Sequence, residues 1–172
     1  AGIERWRAAS YLLTRDVEGG VGIDRYVEDH FGGERSAALL RRKRVFIERF
    51  AMFVRTLQDR GVYHFDLKSG NILVDDSGTG PPAFLFIDLD RLQFRKRLTR
   101  RQRRRNLVKI NISFVDRQRI SLTDRLRFLR AYLRNESDGR AERQAWWKSI
   151  EQTSAKKLRK SGRTFRSALR DR

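Results

Sequence analysis

The sequence predicts an α+β fold that is mostly helical, with a small β-hairpin between helices. A long segment over about 36–60 carries apolar residues every three or four positions, which is typical of an amphipathic helix. Two short apolar runs, 72–74 and 84–87, flank a stretch rich in Asp, Gly and Pro, and this pattern predicts a hairpin. Further segments with helical spacing follow, so the hairpin lies within a mainly helical chain.

The remaining elements follow in order from local signals. Residues 9–15 predict a short strand, and residues 23–31 a short helix that ends before two glycines. Gly61 follows the long helix at the position where a left-handed helix cap is expected. Three later helices are expected. The first covers 106–114 and the third about 140–160. The second begins at a capping box formed by Ser121 and Asp124, and its apolar face carries Leu122, Leu126, Leu129 and Leu133.

Composition limits the classes of function. The 172 residues contain 39% hydrophobic residues, which suits one domain with a core. Cysteine is absent and only two histidines are present, which excludes disulfides and disfavours a structural zinc site. The net charge of +19 favours binding to polyanions such as nucleic acid, anionic lipid headgroups or phosphorylated glycans, without choosing among them.

Oxygen-bearing side chains flank the predicted hairpin. Asp66 lies in the loop after the long helix, Asn71 just before the first strand, and Asp88 at the end of the second. Because a hairpin brings the start of its first strand beside the end of its second, Asn71 and Asp88 should be neighbours, with Asp66 and Lys68 close by. Carboxylate and amide oxygens suit Mg²⁺, whose coordination is usually completed by substrate phosphates.

The same residues resemble the signature of the protein-kinase superfamily, H-R-D-L-x-x-x-N followed by a hairpin and a D-F-G turn. Residues 64–71 read H-F-D-L-K-S-G-N, and 86–90 read F-I-D-L-D where D-F-G belongs. The resemblance covers about 10–90. It implies a protein-kinase-like carboxy-terminal lobe whose amino-terminal lobe is largely missing.

The kinase resemblance implies a role for each matching residue. Asp66 is the catalytic residue that accepts or orients the proton of the attacking hydroxyl, and Lys68 stabilises charge on the transferring phosphoryl group. Asn71 and Asp88 hold Mg²⁺ against the phosphates of ATP. Leu73 forms the floor of the adenine pocket. The hinge between the lobes, which would bind adenine, includes Thr14, Asp16 and Glu18.

Two departures from the kinase signature bear on regulation and acceptor. Phe65 replaces the Arg that pairs with a phosphorylated activation loop in many protein kinases, so such regulation is not expected. Asp90 replaces the Gly after the metal-binding Asp, and residues 91–120 lack an A-P-E segment. A regular platform for a protein substrate is therefore not expected.

Within the superfamily, the pattern most resembles the bacterial lipopolysaccharide kinases. The similarity rests on I-D-L-D-R-L at 87–92, R-R-R-N-L at 103–107 and D-R-L-R-F-L-R-A-Y-L at 124–133. It implies ATP-dependent phosphorylation of a heptose or Kdo hydroxyl of the lipopolysaccharide inner core. The partner would be a lipid A–core glycolipid or another anionic glycan. The location would be cytoplasmic, in peripheral contact with the anionic cytoplasmic face of the inner membrane.

The resemblance also divides the chain into three parts: a remnant of the amino lobe and hinge (1–22), the carboxy-terminal lobe (23–160) and a basic tail (161–172). A kinase also needs a Gly-rich loop and a strand lysine paired with a helix glutamate. None of these is recognised here, so we expect a fragment that binds ATP weakly and turns over little or nothing by itself.

A basic stretch follows the predicted site. Residues 91–105 contain nine basic residues and no acidic one, which favours a polyanion partner over a solvated helix face. Asp90 could contact a second metal or the acceptor sugar; the alternatives are an ion pair with Arg91 or a cap of the loop. Aromatic residues are sparse in this stretch, which weakens a stacking platform for nucleic acid. The candidate substrate or anion contacts are Asp90, Arg91, Arg101, Arg103 and Arg104.

Three other residues and two other functions complete the expectations. His64 is expected to be a buried scaffold residue, because no second group is available for acid–base or metal chemistry. Trp146 and Trp147 are expected in the core rather than at a membrane interface. One alternative function is a non-catalytic basic module that binds nucleic acid or anionic membrane. The other is a kinase with a protein or small-molecule acceptor.

Overall fold

The computed structural model describes residues 19–32, 36–114, 119–134 and 139–161. The predicted strand at 9–15, the hinge residues Thr14, Asp16 and Glu18, and all of the basic tail after residue 161 lie outside these ranges. The proposed division into amino-lobe remnant, carboxy-terminal lobe and tail therefore stays a prediction.

Five helices make up most of the described chain. They are α1 (Ile23–Phe31), α2 (Ala37–Asp59), α3 (Arg100–Ser113), α4 (Leu122–Tyr132) and α5 (Arg140–Lys160). The bounds of α1, α2 and α5 agree with the sequence prediction within one or two residues. The start of α3 was missed: it begins six residues earlier than predicted, at a capping box formed by Thr99 and Gln102. The box predicted at Ser121 and Asp124 is confirmed.

Within the described ranges, five short strands form two small antiparallel sheets. They are β1 (Val21–Gly22), β2 (Val62–His64), β3 (Ile72–Asp75), β4 (Ala83–Phe86) and β5 (Leu92–Phe94). The predicted hairpin is β3 with β4, paired from Ile72 opposite Phe86 to Asp75 opposite Ala83. β1 adds to the other edge of β3. The second sheet, which the sequence did not predict, pairs β2 with β5.

The core lies between α2 and the elements that pack on it. α2 packs against α4, and α3 packs against α5. The hairpin joins this core through Phe84, whose ring lies 5.2 Å from the ring of Phe46 and 5.3 Å from that of Phe50. Burial of these large rings provides a rigid base for the ends of the hairpin strands.

The buried face of α4 differs from the prediction. Leu129 and Leu133 are buried as expected, whereas Leu126 is 41% exposed. Tyr132 is fully buried instead, and its hydroxyl donates a hydrogen bond of 2.6 Å to Gln58 Oε1 on α2. The helix is rotated to place that aromatic side chain in the core, which turns Leu126 towards solvent.

Other sequence-based expectations are met. Trp146 is buried in the core, and Trp147 packs against it. Gly61 has a φ of 79°, the left-handed conformation predicted for the residue after α2. In the part of the chain that the structure describes, no helix is both long enough and apolar enough to span a bilayer.

Candidate active site

The predicted catalytic loop runs from the end of β2 to the start of β3. A short 3₁₀ turn, Ser69–Asn71, leads the chain into β3. The Asn71 side-chain amide donates to the Asp66 carbonyl at 2.8 Å and to Asp88 Oδ2 at 3.4 Å. The Asn71 carbonyl accepts a hydrogen bond from the Ile87 N–H at 3.1 Å. Asn71 thus ties the loop that carries Asp66 to the strand end that carries Asp88.

The Asp66 carboxylate lies between two lysines. Lys68 Nζ is 2.8 Å from one oxygen, and Lys109 Nζ, on α3, is 3.1 Å from the other. Lys109 also donates to the Phe65 carbonyl. The hydrogen bond from Lys68, together with that from Lys109, outweighs partial burial and lowers the pKa of Asp66. Asp66 in turn raises the pKa of Lys68. Asp66 is therefore ionised at neutral pH.

Asp88 has a left-handed backbone, with φ 65° and ψ 51°. Among the described residues it is the only non-glycine with positive φ. Asp tolerates this region better than most side chains, but such conformations cost free energy and are concentrated at functional sites. The unusual backbone sets the direction in which the Asp88 carboxylate leaves the end of β4.

A second carboxylate faces Asp88. A hydrogen bond with Asp90, followed by desolvation and the like charge of Asp90, raises the pKa of Asp88. The same hydrogen bond lowers the pKa of Asp90, which is also 3.6 Å from Arg91 Nε. Of the two sequence expectations for Asp90, the structure shows the pair with Arg91 and does not test metal or sugar contact. Two adjacent carboxylates at an exposed strand end favour a cation.

The donor set fits a hard divalent ion. No group of three or more His, Cys, Asp or Glu side chains that could hold a metal occurs within the described ranges. The candidate donors are the Asp88 carboxylate, its neighbour Asp90 and the Asn71 amide oxygen, whose amide nitrogen is already committed to Asp66 and Asp88. These few oxygen donors suit Mg²⁺, which keeps waters and binds substrate phosphates, better than zinc. When bound, such an ion would neutralise phosphate charge.

His64 is a scaffold residue, as predicted. It is fully buried, and its Nδ1 accepts a hydrogen bond of 3.0 Å from the Asp66 N–H. The other ring nitrogen, Nε2, lies 3.2 Å from the Ile87 carbonyl and therefore carries the proton. Through its ring, His64 joins the catalytic loop to the residue that precedes Asp88.

A buried network of side-chain hydrogen bonds connects the catalytic loop to α2, α3 and α4. The Asn106 side-chain amide donates to the His64 carbonyl at 2.6 Å. Gln58 Nε2 lies 3.4 Å from Asn106 Oδ1, and the Tyr132 hydroxyl bonds Gln58 in turn. Sequence reasoning missed this network, although Asn106 and Gln58 are polar residues at apolar positions of their helices. That signal identifies buried polar groups without naming their partners.

The candidate anion contacts separate into different environments. Arg91 and Arg101 are exposed, and Arg104 is partly buried with its Nη1 2.8 Å from Ser149 Oγ on α5. Leu73 is partly buried in β3, opposite Leu85. Its predicted contact with adenine is untested, as are those of Thr14, Asp16 and Glu18.

The surroundings of Arg103 do not favour the anion-binding role predicted for it, which stays a prediction. Its side chain is buried, and Nη2 lies 2.8 Å from Asp59 Oδ1 on α2. Burial opposes the charge, but hydrogen bonds with Asp59 and Tyr132 prevail and raise the pKa of Arg103. A helix exposes only part of its surface, so a run of arginines on α3 must turn some towards the core. Arg103 thus contributes to the packing of α3 on α2.

Comparison with known proteins agrees with this geometry. A model of the lipopolysaccharide kinase (Kdo/WaaP) family matches residues 2–132. The chain belongs to this family. The resemblance to the lipopolysaccharide kinases predicted from the sequence is therefore confirmed. No curated protein matches the chain.

The fold of this Kdo/WaaP-family chain is also found in a solved structure, described as WaaP in complex with acyl carrier protein. The two share 26% sequence identity with a TM-score of 0.62, over 82% of this chain and 58% of that one. The predicted kinase-like α+β fold is confirmed. The family chain spans 58% of the length of that chain.

Proposed function

We propose that this Kdo/WaaP-family chain belongs to an ATP-dependent phosphotransferase whose acceptor is a sugar hydroxyl, heptose or Kdo, of the lipopolysaccharide inner core. The observation that carries the proposal is the bridge made by Asn71, which bonds both the Asp66 backbone and the Asp88 carboxylate at the end of the hairpin. Family membership supports kinase chemistry, and the lysine on Asp66 supplies the cation that phosphoryl transfer needs.

The side chains divide the work. Asp66 is ionised and lies in the loop, where it can orient the acceptor hydroxyl and take its proton. Lys68, which is 54% exposed, can leave Asp66 and stabilise charge on the transferring phosphoryl group. Asn71 and Asp88 would hold Mg²⁺ at the ATP phosphates. Leu73, on the neighbouring strand, would contact adenine together with the hinge residues.

The acceptor is anionic in this proposal. Arg91 and Arg101 present exposed guanidinium groups, and Arg104 lies at the α3–α5 boundary, so all three can meet phosphates of a lipid A–core glycolipid. Asp90 would bind a sugar hydroxyl or a second metal ion. The net charge of +19 supports peripheral contact with an anionic membrane, at the cytoplasmic face of the inner membrane.

The test measures Mg²⁺-dependent ADP formation with lipid A–core acceptor by the phosphotransferase that contains this chain, comparing Asp66→Asn with Asp29→Asn. Asp29 is an exposed acid of α1 that pairs with Arg25, so its variant controls for the loss of one charge. Asp66→Asn should lower the rate by about 10²- to 10⁴-fold, the usual contribution of a positioned base. A second measurement follows Mg²⁺-dependent ATP binding in Asp88→Asn, which should weaken it.

The alternatives have their own outcomes. If Asp66→Asn leaves every activity intact while Arg101→Glu with Arg104→Glu abolishes binding to anionic vesicles or nucleic acid, the chain is a non-catalytic basic module. If ATP is consumed only with a protein or small-molecule acceptor, the phosphotransferase proposal stands and the sugar acceptor is wrong. An Asp88→Asn variant that binds Mg²⁺ and ATP as tightly as the original contradicts the metal assignment.

We also propose an acyl carrier protein as a partner, which the sequence did not point to. The structural match contains one. In addition, an almost wholly apolar cavity of about 70 Å³ lies among α1, α2, α3, α4 and α5, lined in part by Phe46, Leu107 and Phe128. Its apolar lining suits the end of an acyl chain rather than a sugar, because about 70 Å³ is far below the volume of a pocket that encloses a whole ligand. The acylated carrier should therefore raise the Tm of this chain more than the unacylated carrier, and equal effects would contradict the cavity's involvement.

A further inference from the structure

One face of α3 makes hydrogen bonds to the catalytic loop at several positions. Asn106, Lys109 and Ser113 are spaced by three and four residues, so their side chains leave the helix on the same side. Asn106 donates to the His64 carbonyl, Lys109 reaches the Phe65 carbonyl and the Asp66 carboxylate, and Ser113 Oγ accepts from the Ser69 N–H at 3.1 Å. The helix therefore holds the loop at successive points from residue 64 to residue 69.

Lys109 differs from the other two contacts because it brings a charge to Asp66. Within the loop, Asn106 and Ser113 contact backbone atoms, whereas Lys109 Nζ lies 3.1 Å from Asp66 Oδ1. The Ser113 hydroxyl also donates to the Lys109 carbonyl at 2.8 Å, one turn back on the helix. Lys109 therefore starts from a rigid, hydrogen-bonded backbone.

The two lysines on Asp66 are not equivalent. The Lys68 side chain is 54% exposed, whereas that of Lys109 is only 29% exposed and is also anchored to the Phe65 carbonyl. A less exposed cation is screened less by water and salt, and an anchored side chain loses less entropy when it pairs. Lys68 can thus turn towards a phosphoryl group, while Lys109 remains in place.

We propose that Lys109 is a positioning residue for Asp66: it fixes the direction of the carboxylate when Lys68 turns to the transferring phosphoryl group. The inference rests on the proposed function, because it assigns Asp66 a task in phosphoryl transfer. It adds α3, a helix outside the kinase signature, to the parts that set the geometry of the site. Loss of the contact would let the carboxylate rotate, and small displacements of a catalytic group are costly.

The first experiment needs no turnover. The environment and mobility of the Asp66 side chain are measured at one fixed pH, by the carboxyl ¹³C signal and its relaxation, in the chain and in three variants, Lys109→Gln, Lys109→Arg and Lys148→Gln. Lys148 is an exposed lysine of α5 and supplies the matched loss of charge. The Asp66 carboxyl signal should shift and the side chain become more mobile in Lys109→Gln, stay near the original values in Lys109→Arg and not change in Lys148→Gln. An unchanged signal and mobility of Asp66 in Lys109→Gln overturn the proposal.

The second experiment uses the kinase assay. Lys109→Gln should lower kcat by about 10-fold while the KM for ATP changes less than 2-fold, because the contact orients the base and does not touch the nucleotide. Lys109→Arg should restore most of the rate. A loss confined to the KM for ATP, or a loss of kcat that Lys109→Arg does not restore, overturns the positioning role.

The two hypotheses fail separately. If the Asp66 side chain becomes mobile in Lys109→Gln but the phosphotransferase that contains this chain never consumes ATP with Mg²⁺, the contact with Asp66 is established and the proposed function is wrong. If ATP is consumed but the mobility of Asp66 does not respond to residue 109, the positioning role alone is wrong. Should Lys109→Gln fail to fold, Lys109→Met, which keeps the length of the side chain, decides by the same two outcomes.

Discussion

Replacing Gly61 with Ala should be among the most damaging single changes to stability. Gly61 follows α2 with a φ of 79°, and a Cβ there would lie 1.7 Å from the Arg95 carbonyl oxygen. Contacts below 3.0 Å are essentially never seen for real Cβ atoms, so the strand end at Arg95 would have to retreat by at least about 1 Å. The obstacle is backbone, which cannot rotate away as a side chain could.

The magnitude follows from two costs. A non-glycine residue in the left-handed region costs about 1–2 kcal/mol. Moving Arg95 also breaks the hydrogen bond of 2.9 Å from the Arg95 N–H to the Gly61 carbonyl, worth about 1 kcal/mol, and disturbs the pairing of β2 with β5. We therefore expect Gly61→Ala to lower the free energy of unfolding by about 3–4 kcal/mol, a large part of the stability of an ordinary domain.

The assay is urea unfolding followed by circular dichroism at 222 nm, with Gly80→Ala as the matched control. Gly80 lies in the turn of the hairpin with no atom within 4 Å of its would-be Cβ, so its variant should be neutral or slightly stabilising. Because β2 leads directly into the catalytic loop, Gly61→Ala should also perturb the NMR signals of His64 in the folded fraction. A Gly61→Ala variant within 1 kcal/mol of the original would refute the reasoning.

Three further results are expected. Asn106→Ala should cost about 2–3 kcal/mol in urea unfolding, because it leaves the His64 carbonyl and the Gln58 amide without a buried partner; a cost below 0.5 kcal/mol would contradict this. Burial and the hydrogen bond to Asp76 raise the pKa of Tyr26 to about 12, so the stability of the protein should fall as pH rises from 10 towards 12. In Asp76→Asn, Tyr26 should ionise at lower pH when its titration is followed by absorbance at 295 nm; an unchanged titration would exclude the Asp76 contribution. Hydrogen bonds from arginines outweigh burial and lower the pKa of Asp59, so the stability that Asp59 contributes is present above its ordinary pKa and is lost as pH falls through the pKa of the folded state. The Tm of Asp59→Asn should therefore fall less with acid than that of the original chain, and parallel curves of Tm against pH for the two proteins would argue against this.

Local patterns predicted the elements that depend on local physics. The periodicity of α2, the capping box of α4 and the turn between β3 and β4 are set by residues within a few positions of one another. The proximity of Asn71 to Asp88 could also be predicted from the sequence, because a two-stranded hairpin fixes which strand ends meet. The kinase resemblance rested on the same residues, and the family match agrees with it.

Contacts between segments that are distant in the sequence could not be predicted from local patterns. Lys109 meets Asp66 across 43 positions, and Arg103 meets Asp59 across the packing of α3 on α2. In the sequence, Arg103 belongs to the basic stretch 91–105 and Lys109 follows it, and nothing local distinguishes either cation from Arg101, which is exposed. Their directions depend on how α3 is rotated about its axis.

The sequence by itself thus determined the order of the helices, the hairpin that gathers Asn71 and Asp88, and the signature around Asp66. Only the tertiary structure decided which basic side chains of α3 face solvent, which one enters the core beside Asp59 and which one contacts the Asp66 carboxylate. The physical reason is that hydrogen-bond periodicity and turn geometry act over a few residues, whereas the rotation of a helix is settled by all the surfaces that it buries.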